Sequence, residues 1–267
     1  MKKMTLKELG NKLPIPLEGK DDLSFTFKSW GLAEEKQIGE IKRKIQYMGP
    51  LINEVLALML VKCAGQDIQK MESYQQIAFL SDMPMMNVLY MWIYLRYDQL
   101  DDEIRLNVTC PACNRLNKEI VASLDGLDID TIETDDEAIA KYSLKKPFKL
   151  EESDADPIKV LKLKRTPWSC MDTANDEVTT NQGMIMDLMF RHSIIGWDDE
   201  EGYADYDLLN NKIRKRDIER LSRKIQDHNA GPTLALEGKC KFCPSTFYRQ
   251  LDWSYDHFFG SSSLPMS

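Results

Sequence analysis

The sequence predicts an α+β fold, in which an N-terminal helical unit precedes a strand-rich region. Apolar residues recur at spacings of three and four in the first part of the chain, as in Ile38, Ile41, Ile45 and Met48, which is the period of a helix. From residue 103 onward, apolar and β-branched residues alternate with polar ones, which is the period of a strand. Four cysteines form two Cys-x-x-Cys pairs, and strand-like segments flank both pairs.

The composition is typical of a globular protein, with 43% apolar and 29% charged residues in a chain of 267. The 35 Lys and Arg residues are outnumbered by 43 Asp and Glu residues, which gives a net charge of −8. This charge argues against a general nucleic-acid coat and a membrane-surface protein, because both need a basic face. The longest apolar stretch is too short to span a bilayer, and the N-terminus lacks the apolar core of a secretory signal. We therefore expect the protein to stay in the cytosol where it is made.

The helical unit is predicted to begin with an extended arm over residues 1–30, because its prolines and glycines are incompatible with a helix interior. The apolar residues of this arm either lie along the protein's own core or dock on a partner. The first helix is predicted over residues 32–48, and Gly49-Pro50 is predicted to end it.

Two further helices are predicted in the same unit. Residues 51–62 are apolar almost all round, which predicts a buried helix that ends at Cys63. Residues 82–100 are predicted to form a helix capped by Ser81 or Asp82. Its many Met and aromatic residues indicate core packing or, alternatively, an adaptable docking surface.

The two cysteine pairs predict a metal site. Two knuckles placed face to face would bring the thiolates of Cys110, Cys113, Cys240 and Cys243 to the corners of a tetrahedron, which is the arrangement of a zinc ribbon. Zinc suits this site because it accepts soft thiolate ligands and needs no redox chemistry. A ribbon usually has about 15–20 residues between its pairs, whereas residues 114–239 lie between these two. We therefore predict a split ribbon that carries an insertion. Its strands are predicted over residues 103–110, 116–124, 233–240 and 246–253.

The insertion is predicted to have mixed α/β structure. Acidic residues concentrate in two stretches, 125–137 and 197–207, which are typical of solvated connections. A hairpin is predicted over residues 147–166, followed by helices over 168–175, 184–195 and about 206 or 212 to 228. The four predicted parts of the chain are the arm and helical unit (1–100), the split zinc ribbon (101–124 plus 232–254), the insertion (125–231) and a C-terminal tail (255–267).

The last predicted helix of the insertion is rich in basic residues. These are either a solvated face that balances the acidic stretches or a docking face for an acidic partner or a nucleic acid. They are Lys212, Arg214, Lys215, Arg216, Arg220, Arg223 and Lys224.

Other chemistry for the cysteines is less well supported by the pattern. A thioredoxin-like site needs a Cys-x-x-Cys pair before a helix, and neither pair here precedes a helical pattern. His257 could replace one thiolate, although it lies well beyond Cys243, and Cys170 is most simply structural. The chain has no phosphate-binding loop, nucleophile elbow or His-Glu-x-x-His motif. A site filled by four cysteines also lacks the open position that catalysis needs, so we predict no catalytic residues and no enzymatic activity.

The order of these motifs resembles the T-even-type phage baseplate hub subunit family of contractile tails. The resemblance spans nearly the whole chain, and the paired cysteines are its specific part. The motifs that carry it are Leu13-Pro14, Lys62-Cys63, a helix from Asp82 with Leu95-Arg96, Cys110 to Cys113, Leu124-Asp125, Lys164 to Pro167 followed by Asp172, the second cysteine pair, and Phe258-Phe259.

The resemblance implies a non-enzymatic tail protein that acts in the baseplate hub or in its assembly. Its implied partners are other tail baseplate proteins, with no small-molecule substrate, and it would pass from the host cytoplasm to the tail of the virion. Aromatic residues are frequent anchors of interfaces, and the candidate docking residues are Trp30, Trp92, Trp253, Phe258 and Phe259. The alternatives are a nucleic-acid-binding zinc-ribbon module, which the net charge disfavours, and a transient assembly chaperone.

Overall fold

The computed structural model describes residues 1–133, 139–149, 156–198, 200–201 and 212–259. These residues contain both helices and sheets, so the predicted α+β class is confirmed. The helices are α1 (Leu6–Leu9), α2 (Leu32–Lys44), α3 (Met48–Met59), α4 (Ser73–Asp82), α5 (Met85–Gln99), α6 (Gln182–Ser193), α7 (Lys215–His228) and α8 (Tyr255–Phe259), with 3-10 turns at Ile68–Lys70, Trp168–Met171 and Asp176–Thr179.

All paired strands in the described residues are antiparallel. The strands are β1 (Lys2–Thr5), β2 (Phe25–Phe27), β3 (Leu60–Cys63), β4 (Gln66–Asp67), β5 (Glu103–Thr109), β6 (Leu116–Ser123), β7 (Asp128–Thr131), β8 (Ile139–Phe148), β9 (Ile158–Lys164), β10 (Ile194–Trp197), β11 (Glu200–Glu201), β12 (Ala235–Lys239) and β13 (Thr246–Gln250). They form the sheets β1-β7, β2-β3-β4, β5-β6, β11-β10-β9-β8 and β12-β13.

The N-terminal arm lies along the protein's own core, which decides between the two interpretations of its sequence. Leu6, Leu13 and Ile15 are buried. The side-chain amide of Asn87 in α5 accepts a hydrogen bond from the N–H of Ile15 at 3.0 Å and donates one to its carbonyl at 2.9 Å. The arm is therefore held to the main helix by a buried polar bridge, since the polar groups of an extended segment need partners when they are buried.

Gly49-Pro50 begins a helix rather than ending one. α2 ends at Lys44, and Gly49 and Pro50 lie in the first turn of α3, where a proline loses no intrahelical hydrogen bond. Gly49 is also required by packing, because a Cβ atom there would lie 2.2 Å from the carbonyl oxygen of Met171. The predicted end of the first helix was therefore wrong by several residues.

The apolar run that was predicted as one helix over residues 51–62 is helical only as far as Met59 and continues as the strand β3. Cys63 was predicted to end a helix, but it lies in β3 and pairs with Phe25 of β2. An apolar run of this kind has no period that separates a buried helix from a buried strand. The helix α4 was not predicted, because only Leu80 of its residues is buried and its pattern is weak. The next helix, α5, starts at Met85, and Pro84 is its N-cap. The predicted caps, Ser81 and Asp82, are instead the last two residues of α4.

The insertion shares its hydrophobic core with the helical unit. The turn Trp168–Met171 packs against α3, α4 and α5. The N–H of Trp168 donates to the carbonyl of Met83, and the N–H of Met85 donates to the carbonyl of Thr166, both at 2.8 Å. One cluster of buried residues runs through all four predicted parts of the chain. The turn replaces the helix predicted over residues 168–175.

The hairpin and two of the three helices predicted in the insertion are present with shifted bounds, whereas β10 and β11 of the insertion and α8 of the tail were not predicted. The predicted hairpin is β8-β9, and its first strand starts at Ile139. Residues 128–131 of the first acidic stretch form β7 rather than a solvated connection. Several predicted segments lie partly outside the described residues. They are residues 134–137 of that stretch, residues 199 and 202–207 of the second, residues 150–155 of the predicted hairpin, residues 206–211 at the start of the last predicted helix and residues 260–267 of the tail. No described helix has the length and apolar character needed to cross a membrane.

Candidate metal centre

The first knuckle connects β5 to β6. Thr109 and Leu116 are paired across the hairpin, so Cys110 and Cys113 lie in the turn that follows β5. The N–H of Cys110 donates to the carbonyl of Arg115, and the N–H of Asn114 donates to the carbonyl of Cys110, both at 2.9 Å. Asn114 has a φ of +56°, a left-handed conformation that asparagine tolerates better than most residues. These bonds close the turn and direct both sulfurs to the same side.

The second knuckle connects β12 to β13 in the same way. Lys239 pairs with Thr246, and the N–H of Cys240 donates to the carbonyl of Ser245 at 3.0 Å. The N–H of Phe242 lies 3.4 Å from the Sγ atom of Cys240 and donates to it. The two hairpins thus present similar turns, as their similar sequences predict.

The four sulfurs form one cluster. The Sγ atoms of Cys110 and Cys243 are 3.8 Å apart, and those of Cys113 and Cys240 are 3.7 Å apart. All four Sγ atoms lie within 4.8 Å of one another, and all four thiols are free of disulfides. In a tetrahedral thiolate site with metal–sulfur bonds of about 2.3 Å, neighbouring sulfurs are about 3.8 Å apart. The spacing therefore fits a single four-coordinate metal ion, and the prediction that these cysteines meet is confirmed.

The protein environment favours the thiolate form in the second knuckle. Burial raises the pKa of Cys240, but hydrogen bonds from the N–H of Phe242 and the side chain of Asn117 outweigh this and lower the pKa to about 6. The hydroxyl and the N–H of Ser245 lower the pKa of Cys243. A thiol must lose its proton to bind a metal, so these donors prepare the two sulfurs as ligands.

The pKa of Cys113 is shifted in the opposite direction, which favours the protonated thiol. A backbone hydrogen bond from Arg115 lowers its pKa, but burial and the neighbouring sulfurs outweigh this and raise the pKa to about 11. A sulfur that shares protons with three others holds its own proton more firmly, because several thiolates so close together repel one another. A divalent cation bound by the four sulfurs would remove that repulsion.

Asn117 joins the two knuckles, and sequence reasoning did not single it out. It is fully buried, accepts a hydrogen bond from the N–H of Lys241 at 2.8 Å, and donates to the carbonyls of Arg115 and Val108 at 3.1 and 3.3 Å. The alternating pattern of β6 gave no signal for it, because Asn117 is three positions from Ile120 and a regular strand would place the two on opposite faces. A register shift between Leu106 and Val108 in the partner strand brings both to the buried side.

Two exposed contacts add to this connection. The ammonium group of Lys241 donates to the carbonyl of Lys118 at 2.8 Å. The guanidinium of Arg115 lies 5.4 Å from the centre of the Phe242 ring, within the range of a cation–π interaction. Both contacts join one hairpin to the other, so the hairpins are held together by protein groups as well as by the cysteines.

The other two cysteines are core residues. Cys63 and Cys170 are buried, and their thiols contact the sulfurs of Met91 and Met85. Burial raises the pKa of each thiol to about 12. Neither thiol is activated, in agreement with the structural role expected for both. The side chain of His257, the alternative ligand, lies outside what the structure describes.

Four of the five candidate docking residues are in the core, so their assignment as surface anchors was wrong. Trp92, Trp253 and Phe258 have no exposed surface and Phe259 is 4% exposed, whereas Trp30 is half-buried. The indole N–H of Trp92 donates to the carbonyl of Trp253 at 2.9 Å. The ring of Trp30 stacks on that of Phe259, with centroids 5.2 Å apart. Large aromatic residues gain most from burial, and these fasten α8 to the helical unit.

Comparisons of the chain with protein-family models, with curated proteins and with solved structures found no match. The resemblance noted in the sequence therefore depends on its short motifs alone. The class that the fold and site define is that of an α+β protein with a possible four-cysteine metal site.

Proposed function

We propose that the protein is a non-enzymatic, zinc-stabilised structural or assembly protein of a contractile-tail phage baseplate hub. The four-cysteine cluster, in which Cys113 and Cys240 are 127 positions apart in the chain, supports the zinc-stabilised part of the proposal. The order of the short sequence motifs supports the baseplate part. A closed site of this kind ties remote segments together and leaves no coordination position for a substrate. The proposed activity is therefore docking to other tail baseplate proteins rather than catalysis.

Zinc is the proposed ion because of the donors and their spacing. Four thiolates are soft ligands, and a tetrahedral S4 set is typical of zinc or of iron–sulfur chemistry. Zinc would contribute folding energy here, because it binds the assembled hairpins far better than the unfolded chain. The residues that would hold it are Cys110, Cys113, Cys240 and Cys243.

Metal analysis tests the first part of the proposal. We expect one zinc per chain by elemental mass spectrometry, and we expect Cys110→Ser and Cys240→Ser to lose it. Cys170→Ala is the matched control, because this thiol is buried away from the cluster and should leave the zinc content unchanged. Bound iron, or zinc that survives loss of either ligand, would contradict the assignment.

Purification from infected cells tests the second part. We expect the protein to be in the host cytoplasm during assembly and to co-purify with tail baseplates or hub precursors. Protein that stays free in the cytosol without any tail component would count against the baseplate proposal. Mass spectrometry of mature particles separates a retained hub subunit from a transient assembly chaperone, since only the former remains in the virion.

A further inference from the structure

The helix α7 has one buried face and one strongly basic flank. Leu221, Ile225 and His228 are buried. Arg216, Arg220 and Arg223 are exposed on the opposite side, at spacings of four and three residues. Side chains at these spacings lie next to one another on a helix, so the three guanidinium groups form a row along its surface.

A lysine of the neighbouring sheet lies at the start of the helix. Asp217 in the first turn of α7 is buried, and its carboxylate accepts hydrogen bonds from the hydroxyl of Tyr142 at 3.1 Å and from the N–H of Lys145 at 3.2 Å. These bonds hold β8 against the start of the helix and place the exposed Lys145 beside it. We call Arg216, Arg220, Arg223 and Lys145 the basic stripe.

The fold does not use the charges of the basic stripe. Within the described residues, none of its four side chains forms an ion pair. Glu219 and Asp227 lie four residues from Arg223 on either side, yet neither pairs with it. The pairs Arg216–Arg220 and Arg220–Arg223 place like charges at spacings of four and three residues, which costs the helix stability even though Glu219 and Asp227 lie at favourable spacings from Arg223. A binding partner that supplies carboxylates would offset that cost.

The chemistry of α7 favours a protein over a nucleic acid as the partner. Glu219 and Asp227 are exposed on the same helix and would repel a phosphate backbone. The residues of α7 include no Phe, Tyr or Trp on which bases could stack, and the chain carries a net charge of −8. Guanidinium groups bind carboxylates in a bidentate manner, and a protein surface can also offer cations to the two carboxylates of the helix.

We propose that the basic stripe docks an acidic surface of another protein. This contact rests on the docking function proposed above, and it specifies that the partner is acidic. The exposed, preformed helix supplies the arginines in fixed positions, and β8 supplies the adjacent lysine. Binding of this kind is steered by charge, so it should weaken as the salt concentration rises.

Fluorescence anisotropy with the full chain tests the stripe directly. The probes are a labelled glutamate-rich peptide that also carries two lysines, which can pair with Glu219 and Asp227, and a DNA duplex of the same net charge. We expect the peptide to bind more tightly than the duplex, and the triple variant R216E/R220E/R223E to lose about tenfold or more in peptide affinity. The matched control reverses three exposed cations of α2 (K36E/R43E/K44E), which changes the net charge equally and should leave the affinity within about twofold.

Each other outcome overturns the proposal. Equal losses in the two variants would mean that only net charge matters, and tighter binding of the duplex would make the stripe a nucleic-acid site. No binding of either probe would mean that the chain's own acidic residues satisfy the stripe. The triple variant is also followed in purified tail particles. If it is retained there, the stripe is wrong and the baseplate function stands, whereas a wild-type protein that co-purifies with neither tail particles nor hub precursors refutes that function regardless of the peptide result.

Discussion

Replacing Asn117 tests whether protein groups, and not the cysteines alone, assemble the metal centre. Asn117 is the single buried side chain that we find hydrogen-bonded to both knuckles in the described residues, through the N–H of Lys241 on one side and the carbonyls of Arg115 and Val108 on the other. Asn117→Ala removes all three bonds. It also removes one of the donors that, together with the N–H of Phe242, lower the pKa of Cys240.

The expected size of the effect follows from these contacts. A net hydrogen bond contributes about 0.5–1.5 kcal/mol, and a buried carbonyl that loses its partner costs about 1–3 kcal/mol. The bonds to Arg115 and Val108 lie within the first hairpin, so their loss destabilises that hairpin. The bond from Lys241 joins the two hairpins, so its loss weakens metal binding. Removing a group that orients metal ligands typically lowers affinity by about 10- to 100-fold, which is the loss that we expect for Asn117→Ala.

The assay is competition for zinc with a chromophoric chelator. Asn107→Ala is the matched control, because Asn107 is an exposed asparagine of the same hairpin that accepts one hydrogen bond, from the N–H of Glu119. We expect its zinc affinity to stay within about threefold of the wild type, since an exposed hydrogen bond contributes little. If Asn117→Ala binds zinc as tightly as the wild type, the bridge between the knuckles does not contribute to the site.

Three further predictions concern stability and are measured by urea unfolding. Gly49→Ala should cost about 1–3 kcal/mol, because its Cβ would lie 2.2 Å from the Met171 carbonyl oxygen, whereas Gly39→Ala in α2 meets no atom within 4 Å and should stabilise by about 0.5–1 kcal/mol. Trp92→Ala should cost about 3–5 kcal/mol, and unchanged stability would mean that this ring is not a core residue. Burial, with Lys164 and Arg191 nearby, lowers the pKa of His192 below its usual 6.5, so the unfolded chain binds the proton more readily and stability should fall as the pH drops through 6.5. His192→Gln should remove this contribution, and an unchanged pH dependence would contradict it.

The metal site was largely predictable because its information is local. Each Cys-x-x-Cys pair lies between two strands of alternating pattern, and β5, β6, β12 and β13 have the predicted type with bounds shifted by a few residues. The charge of the thiolates and the requirement for four of them explain why the two pairs should meet. The sequence also predicted the long helix α5 and the end of α7 at His228.

Tertiary contacts decided features that no local pattern encodes. Gly49-Pro50 can end a helix or begin one, and the close approach of Met171 favours the second. The apolar run that ends at Cys63 becomes a strand because β2 lies beside it. Aromatic content does not tell a core from an interface, so Trp92 and Phe258 were assigned to a surface that they do not reach.

The sequence by itself determined the class of fold, the two cysteine pairs of the candidate metal site and the presence of a basic helix, because each depends on residue type and spacing along a short segment. Only the tertiary structure decided that the insertion shares the core of the helical unit, that Asn117 joins the knuckles and that Lys145 extends the basic stripe. Those features depend on contacts between residues far apart in the chain. A buried polar bridge or a charged surface forms only when folding brings such residues together, and a single sequence does not record which distant residues will meet.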